Sequence, residues 1–257
     1  MDLKGIDCAT PLTLDNAKAV AALGYEFVCR YLVPAAYAWK RLTRTEAQAL
    51  TEAGLQIISV WETSANRAAG GAAAGQIDGP LALNEAQTVG QPAGTAIYFA
   101  VDYDARPADY DAIENYLRAA AAALPGYSVG VYGSYAVVEE MALREACGHF
   151  WQTYAWSRGQ RSSHANLYQY QNEVTVAGIQ ADLDESFGNE GFWNTAAAPT
   201  GPFPDVPPDR WSASAIEIVK NAGLMVGFPD GTFRPTQPTT REELAVVLAK
   251  LLTMIET

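Results

Sequence analysis

The run Ile97-Tyr98-Phe99-Ala100-Val101-Asp102-Tyr103-Asp104 constrains the fold more than any other stretch. Its apolar part is short, β-branched and aromatic, and helical patterns flank it. Such a run reads as a buried parallel strand. Two carboxylates spaced i, i+2 close it. Residues two apart on a strand share a face and lie about 6–7 Å apart. Asp102 and Asp104 are therefore expected together at the strand's C-terminal end, where barrels and open α/β sheets build their sites. A second role stays open: the two Asp residues could simply cap the helix expected over 107–124.

The same alternation recurs along the chain. Strands are expected over 3–9, with Asp7 near the end, and over 27–32, 56–60 and 128–132, with helices over 10–22, 44–54, 80–89 and 135–146. Thr43-Arg44-Thr45-Glu46 fits a capping box, in which hydroxyl and carboxylate each satisfy a free amide. The stretch 64–79 is Gly-rich and small, and reads as a loop on the active face. Three further strands, over 150–156, 167–171 and 179–184, have no room between them for full helices. Five βα units followed by three strands suggest an α/β barrel over 1–194, smaller than the usual ~250 residues because its late helices are missing. Residues 195–204 are a linker by composition. Residues 205–257 form a small second module, with helices over 212–222 and 240–252 and a tight turn at Pro229-Asp230-Gly231. So short a unit has a marginal core and calls for a neighbour or further copies of itself.

Charge and composition exclude several classes. The net charge of −12 over 257 residues argues against nucleic acid, whose binding rests on phosphate neutralisation. No apolar run is long enough to span a membrane. The chain enters a strand at once, which reads as the absence of a signal peptide: either the protein leaves the cell by another route, such as release through a phage holin, or this is a mature or trimmed form. Cys8, Cys29 and Cys147 are scattered; the first two read as small core residues. His149 and His164 lack ligand spacing, so neither a metal nor another cofactor is expected.

Acids mark four of the expected strand ends: Asp7, Glu62, the Asp102/Asp104 pair, and Asp182 with Asp184. In a barrel these ends share one mouth. Clustered carboxylates raise one another's pKa, which places a proton donor beside an anion. Glycoside hydrolysis needs that pairing: an acid for the leaving oxygen and a carboxylate for the positive transition state. Tyr31, Trp61, Tyr132, Tyr154, Trp156 and Tyr168 could stack on sugar rings, or could be core. The acids could instead be caps, or partners of Arg30, Arg158 or Arg161.

Several stretches resemble a known family. They are Gly5-Ile6-Asp7, Phe27 to Leu32, Ser59-Val60-Trp61-Glu62, Ile97 to Asp104, Val129-Gly130-Val131-Tyr132-Gly133, Leu167-Tyr168-Gln169-Tyr170 and Ala181-Asp182-Leu183-Asp184. They resemble the Rv2525c-like, glycoside-hydrolase-like family (DUF1906), relatives of the family 25 lysozymes. The resemblance implies a TIM-like (β/α)5β3 barrel and muramidase-like cleavage of the β-1,4 bond between N-acetylmuramic acid and N-acetylglucosamine in peptidoglycan. It also assigns Asp7 and Asp182 to the first- and last-strand acids, and Gln169 to substrate binding. Asp102 and Asp104 fall on the Asp-x-Glu positions of family 25. Asp104 is one methylene shorter than the Glu there, so Glu62 or Asp104 is the candidate general acid, with Asp102 stabilising the oxocarbenium or orienting the acetamido group.

The C-terminal module resembles one S-layer homology (SLH) motif. The match runs through Phe203, Asp205-Val206, Trp211, Ala215-Ile216, Gly223, Gly227 to Pro235 and Thr240-Arg241-Glu242-Glu243. The resemblance implies binding to a pyruvylated secondary cell-wall polymer, with Arg241 taking the ketal carboxylate and Asp205, Trp211, Thr240 and Glu243 around it. Such motifs act in threes, so a homotrimer is expected. The combined expectation is a cell-wall hydrolase, a phage endolysin or bacterial autolysin, located in the cell wall. The alternative is a catalytically silent glycan-binding surface protein.

Overall fold

Eight strands close into one barrel in sequence order: β1 (Leu3–Asp7), β2 (Phe27–Leu32), β3 (Gln56–Trp61), β4 (Ala96–Ala100), β5 (Ser128–Gly133), β6 (His149–Thr153), β7 (Leu167–Val176) and β8 (Ile179–Ser186). The structure is a computed structural model, and it describes residues 3–196, 203, 205–206, 210–228 and 232–255. It divides into two compact units, Met1–Ala196 and Ala197–Thr257. Each of the first five strands is followed by a helix: α1 (Leu14–Ala22), α2 (Arg44–Glu52), α3 (Gly71–Val89), α4 (Tyr110–Ala122) and α5 (Tyr135–Leu143). Neighbours from β1 to β7 run parallel, while β8 is antiparallel to both β7 and β1. A two-residue turn, Ala177-Gly178, joins β7 to β8 with both residues at positive φ, the geometry that matches strand twist.

Strand alternation sorts the core into two layers. Phe27, Cys29, Ile58, Val60, Tyr98 and Trp151 fill the barrel. Val28, Leu32, Ile57, Trp61, Ile97 and Phe99 pack outward under the helices. Successive residues of β2, β3 and β4 thus alternate between the layers, as a pleated strand buried on both faces requires.

Three expectations need correction. The Gly-rich stretch is not a loop. Its first part is a short 3-10 turn (Arg67–Gly70), and the rest belongs to α3, which runs through Pro80 to Val89. Gly75 and Gly79 lie one turn apart against α4. A Cβ at Gly75 would collide with the Tyr116 carbonyl oxygen, and one at Gly79 would lie 2.8 Å from that of Ala120. The glycines let two helix backbones touch, and that packing outweighs their poor helix propensity. Asp78 fastens the contact: it pairs with Arg67 at 2.7 Å and accepts from the Tyr116 hydroxyl at 2.8 Å. Second, β6 stops at Thr153, so Tyr154 and Trp156 stand on a loop. Third, only half the capping box of α2 forms. Thr43 Oγ1 accepts the Glu46 amide at 3.2 Å, but the Glu46 carboxylate turns away to the buried Arg30, Nε to Oε1 2.7 Å.

In the second unit, α6 (Ala213–Asn221) and Phe203, Val206 and Phe233 make a small cluster. Asp205 accepts the amides of Phe233 at 2.8 Å and Arg234 at 2.7 Å. α7 (Arg241–Ile255) starts with a reciprocal cap, Thr240 amide to Glu243 carboxylate and Glu243 amide to Thr240 hydroxyl. Leu244, Val246, Leu248 and Leu252 on it are at least half exposed. The expected Pro229-Asp230-Gly231 turn and most of the 195–204 linker lie outside the described residues.

Candidate active site

At the C-terminal ends of the parallel strands a cavity of about 170 Å³ opens into the barrel. Asp7 from β1, Glu62 just past β3, Asp102 just past β4 and Asp182 from β8 all line it, with Tyr31, Tyr132, Trp151, Gln169 and Asn172. Because β8 runs backwards, Asp182 reaches the mouth from the strand's first half and pairs in register with Asp7. Asp184, two residues on, sits opposite Gly5 and is fully buried below the cavity.

These carboxyls occupy different environments. Gln169 bridges two of them: its amide Nε2 donates to Asp7 at 2.7 Å and to Asp182 at 3.1 Å. Its Oε1 accepts from Tyr132 and Thr153 hydroxyls at 2.9 and 2.7 Å, so the amide's orientation follows from the network. Burial, then the Asp182 charge, pushes Asp7 up to about 7. Burial and the nearby Asp7 hold Asp184 well above the usual carboxylate range. One Asp184 oxygen accepts from Trp151 Nε1 at 2.8 Å; the other is buried and has no hydrogen-bond partner among the described residues. Burial also raises Asp182, against the Glu173 amide that it accepts.

Glu62 accepts from Lys40 Nζ at 3.3 Å, and Lys40 also lies 4.4 Å above the Tyr31 ring. Asp102 is the remaining acid. Burial and the neighbouring Glu62 raise it, Lys40 opposes them, and no hydrogen bond holds its carboxyl among the described residues. The Asn172 side-chain oxygen is buried, unpartnered and at the same cavity. The arrangement therefore offers a free, partly buried acid beside a carboxylate that is already engaged by a cation. That is the division of labour acid–base chemistry needs.

The raised Asp7 has a stability consequence. The folded chain keeps that proton to about pH 7, whereas an unfolded carboxyl loses it near 3.8. Between these values the native state binds the extra proton, so its stability falls as pH rises. The urea midpoint is expected to be lower at pH 8 than at pH 5, and Asp7→Asn to flatten the difference. Wild-type protein that gains stability over this interval would contradict the assignment.

Other candidates stand elsewhere. β4 ends at Ala100, so Asp102 and Asp104 follow loop geometry rather than a shared strand face; Asp104 is exposed and lines a separate depression with Trp156. Trp61 is buried in the outer layer because its neighbour Val60 faces the barrel. Tyr168 alternates with the inward Gln169 and carries Arg161 4.9 Å over its ring. Tyr154 is exposed on the loop after β6. Arg30 serves Glu46 rather than the site acids, and Arg161 pairs with Glu185 at 3.6 Å. Lys40, Trp151 and Asn172 escaped the sequence reading. Only the location of Lys40, on the β2–α2 connection at the functional face, could have nominated it. In the second unit Arg241 and Trp211 are exposed, while Thr240, Glu243 and Asp205 are engaged in the bonds described above.

The sequence profile of the Rv2525c-like, glycoside hydrolase-like domain matches residues 18–187, about two thirds of the chain. The chain belongs to this family. A second profile, the S-layer homology domain, matches residues 202–245. Among solved structures, the Rv2525c-like barrel is similar to the Tat-secreted protein Rv2525c of Mycobacterium tuberculosis. The TM-score is 0.67 at 23% identity, covering 75% of this chain and 98% of the other. It is also similar to the catalytic domain of endolysin ply40 from bacteriophage P40 of Listeria monocytogenes. There the TM-score is 0.51 at 13% identity, covering 74% and 94%. These likenesses concern the fold. The SLH region is 48% identical over 48 residues to outer membrane protein SlpA of Deinococcus radiodurans, 19% of this chain and 4% of the relative. The chain thus matches only a small fraction of that relative's length. The SLH domain supports association with the cell surface, and among the described residues no helix is long and apolar enough to cross a membrane.

Proposed function

We propose that the barrel is a peptidoglycan glycosidase. It would cleave the β-1,4 bond between N-acetylmuramic acid and N-acetylglucosamine while the SLH module holds the chain on a pyruvylated wall polymer. The observation that carries this reading is the unequal treatment of the carboxyls at one cavity. Asp102, raised and with no hydrogen bond to its carboxyl among the described residues, protonates the leaving oxygen. Glu62, paired with Lys40, supplies the negative charge that faces the developing oxocarbenium. Asp7, Gln169 and Asp182 form a fixed wall that orients the sugar, and the unpartnered Asn172 oxygen accepts an acetamido N–H or a hydroxyl. Asp104 leaves the donor role because it lines a different depression.

The test is reducing-end release from purified peptidoglycan, with mass spectrometry of the fragments. Fragments ending in reducing muramic acid support the reading. No release from walls of several species, with wall binding intact, overturns it and leaves a glycan-binding barrel.

In the anchor, Arg241 offers a guanidinium that can take a ketal carboxylate bidentately. Arg241→Ala is expected to lower retention on pyruvylated walls by about tenfold or more, the scale of a lost charge-assisted pair. Retention equal to wild type in a co-sedimentation assay would remove Arg241 from the site. The exposed apolar residues of α7 fit a homotrimer in which three modules cover one another, and analytical ultracentrifugation of the full chain decides it.

A further inference from the structure

A second depression of about 490 Å³ opens on the same C-terminal face, and the reaction above does not use it. Its walls are the loops after β4, β5 and β6. Two of these loops continue directly from the first cavity. Asp104 lies two residues past Asp102, at most about 7 Å of chain, and Ser134 two past Tyr132.

The chemistry of this hollow differs from that of its neighbour. Arg106 comes from the first loop and Arg158 from the third. Both are exposed, and neither guanidinium has an ion-pair partner among the described residues. In a chain of net charge −12, two arginines without an ion-pair partner among the described residues line one hollow. Asp104 on the same wall leaves a formal surplus of one positive charge among the three.

The third loop is also held in an unusual shape. Trp156 and Arg158 have φ of 55° and 53°, a region that bulky side chains rarely occupy. Strain of this kind persists where surrounding contacts impose it, and it collects at functional sites. The contacts are visible here. Ser157, buried between the two, accepts the Tyr135 amide at 2.8 Å and donates to the Thr153 carbonyl at 2.5 Å. Gln152 Nε2 holds the Gln160 carbonyl at 2.8 Å, and Gln152 Oε1 accepts the Ser162 amide at 2.7 Å. The loop is fastened on both sides of the strained residues. The backbone that carries Trp156 and Arg158 along the hollow is thereby fixed in advance of any ligand.

N-acetylglucosamine is neutral and gives guanidiniums nothing to pair with. Muramic acid differs: its lactyl group carries a peptide stem, whose acidic residue brings a free carboxylate off to one side of the glycan. We propose that this depression is a subsite for that stem carboxylate, taken by Arg106 and Arg158, with Trp156 packing against the chain that carries it. The proposal rests on the glycosidase reading and deepens it: the enzyme prefers glycan whose stem carries free carboxylates to glycan whose stem is amidated.

The test is calorimetric binding to the full chain carrying Asp102→Asn, which removes turnover. The probes are the disaccharide of N-acetylglucosamine and N-acetylmuramic acid bearing L-alanyl-D-glutamate, its form with the glutamate carboxyls amidated, and the peptide-free disaccharide with its lactyl carboxyl amidated. The expected result is tighter binding of the acidic form, lost by about tenfold or more in the Arg106→Ala, Arg158→Ala double variant, with the peptide-free disaccharide unaffected. Both arginines are exposed, so the fold survives their removal. Equal affinity for acidic and amidated forms, or an unchanged double variant, overturns the subsite and leaves the glycosidase reading intact. No binding of any of the three, with no reducing-end release from walls, overturns both.

Discussion

Asp102→Asn is expected to lower reducing-end release from peptidoglycan by about 10²–10⁴-fold, the range for loss of a general acid. That corresponds to about 3–5 kcal/mol of transition-state stabilisation. The amide keeps the shape of the side chain but has no acidic proton to give to the leaving oxygen. Each of the other described acids lining the cavity is already bonded. Asp7 and Asp182 share the Gln169 amide, and Glu62 is engaged by Lys40. The pH profile carries the same argument. A donor works in its protonated form, and burial with the Glu62 charge raises the pKa of Asp102. Activity should therefore fall as pH rises, and its alkaline limb should disappear from the residual activity of Asp102→Asn. Lys40→Met weakens the opposition to that rise, so it should move the limb to higher pH. Asp104→Asn should retain more than a tenth of wild-type release. If Asp104→Asn rather than Asp102→Asn abolishes release, the donor is the residue at the Glu position of the family 25 pattern, and the loop after β4 must close inward on substrate.

Much of this arrangement is legible in the sequence. Short apolar runs ending in acids marked the strands, because a strand buried on both faces leaves few other places for a carboxylate. The absence of helix-length segments between the last three strands gave the five-plus-three layout. What escaped depends on contacts between distant residues. Gly75 and Gly79 look like loop residues until α4 lies against them. The direction of β8 decides that Asp182 reaches the mouth while Asp184 lies below it, and acids spaced i, i+2 look the same in either direction. The i, i+2 rule misplaced Asp104 because β4 ends two residues before Asp102. Lys40 belongs to no motif; the fold brings it to Glu62 across 22 residues of chain.

The largest effect on stability is expected at a position with no part in the chemistry. Arg30 is fully buried on the outer face of β2, and Glu46 in the first turn of α2 is 4% exposed. The guanidinium donates from Nε to Oε1 at 2.7 Å and from Nη2 to Oε2 at 3.3 Å, and its Nη1 reaches the Cys8 carbonyl. Glu46 Oε1 also accepts the Leu12 amide at 2.9 Å. One carboxylate thus ties β2, α2 and the connection from β1 to α1 together. Glu46→Ala leaves the arginine charge buried without its partner and the Leu12 amide without an acceptor. The expected cost is about 3–5 kcal/mol, a large part of the 5–15 kcal/mol typical of a domain. Replacing both groups by apolar ones, Arg30→Met with Glu46→Leu, removes the unpaired charge and should cost less than Glu46→Ala alone, because desolvation of the pair offsets much of its attraction. Urea unfolding of wild type, both single variants and the double variant at pH 7 measures the coupling directly. A Glu46→Ala variant within 1 kcal/mol of wild type would mean that water reaches Arg30, and that the pair does not join helix to barrel as its geometry implies.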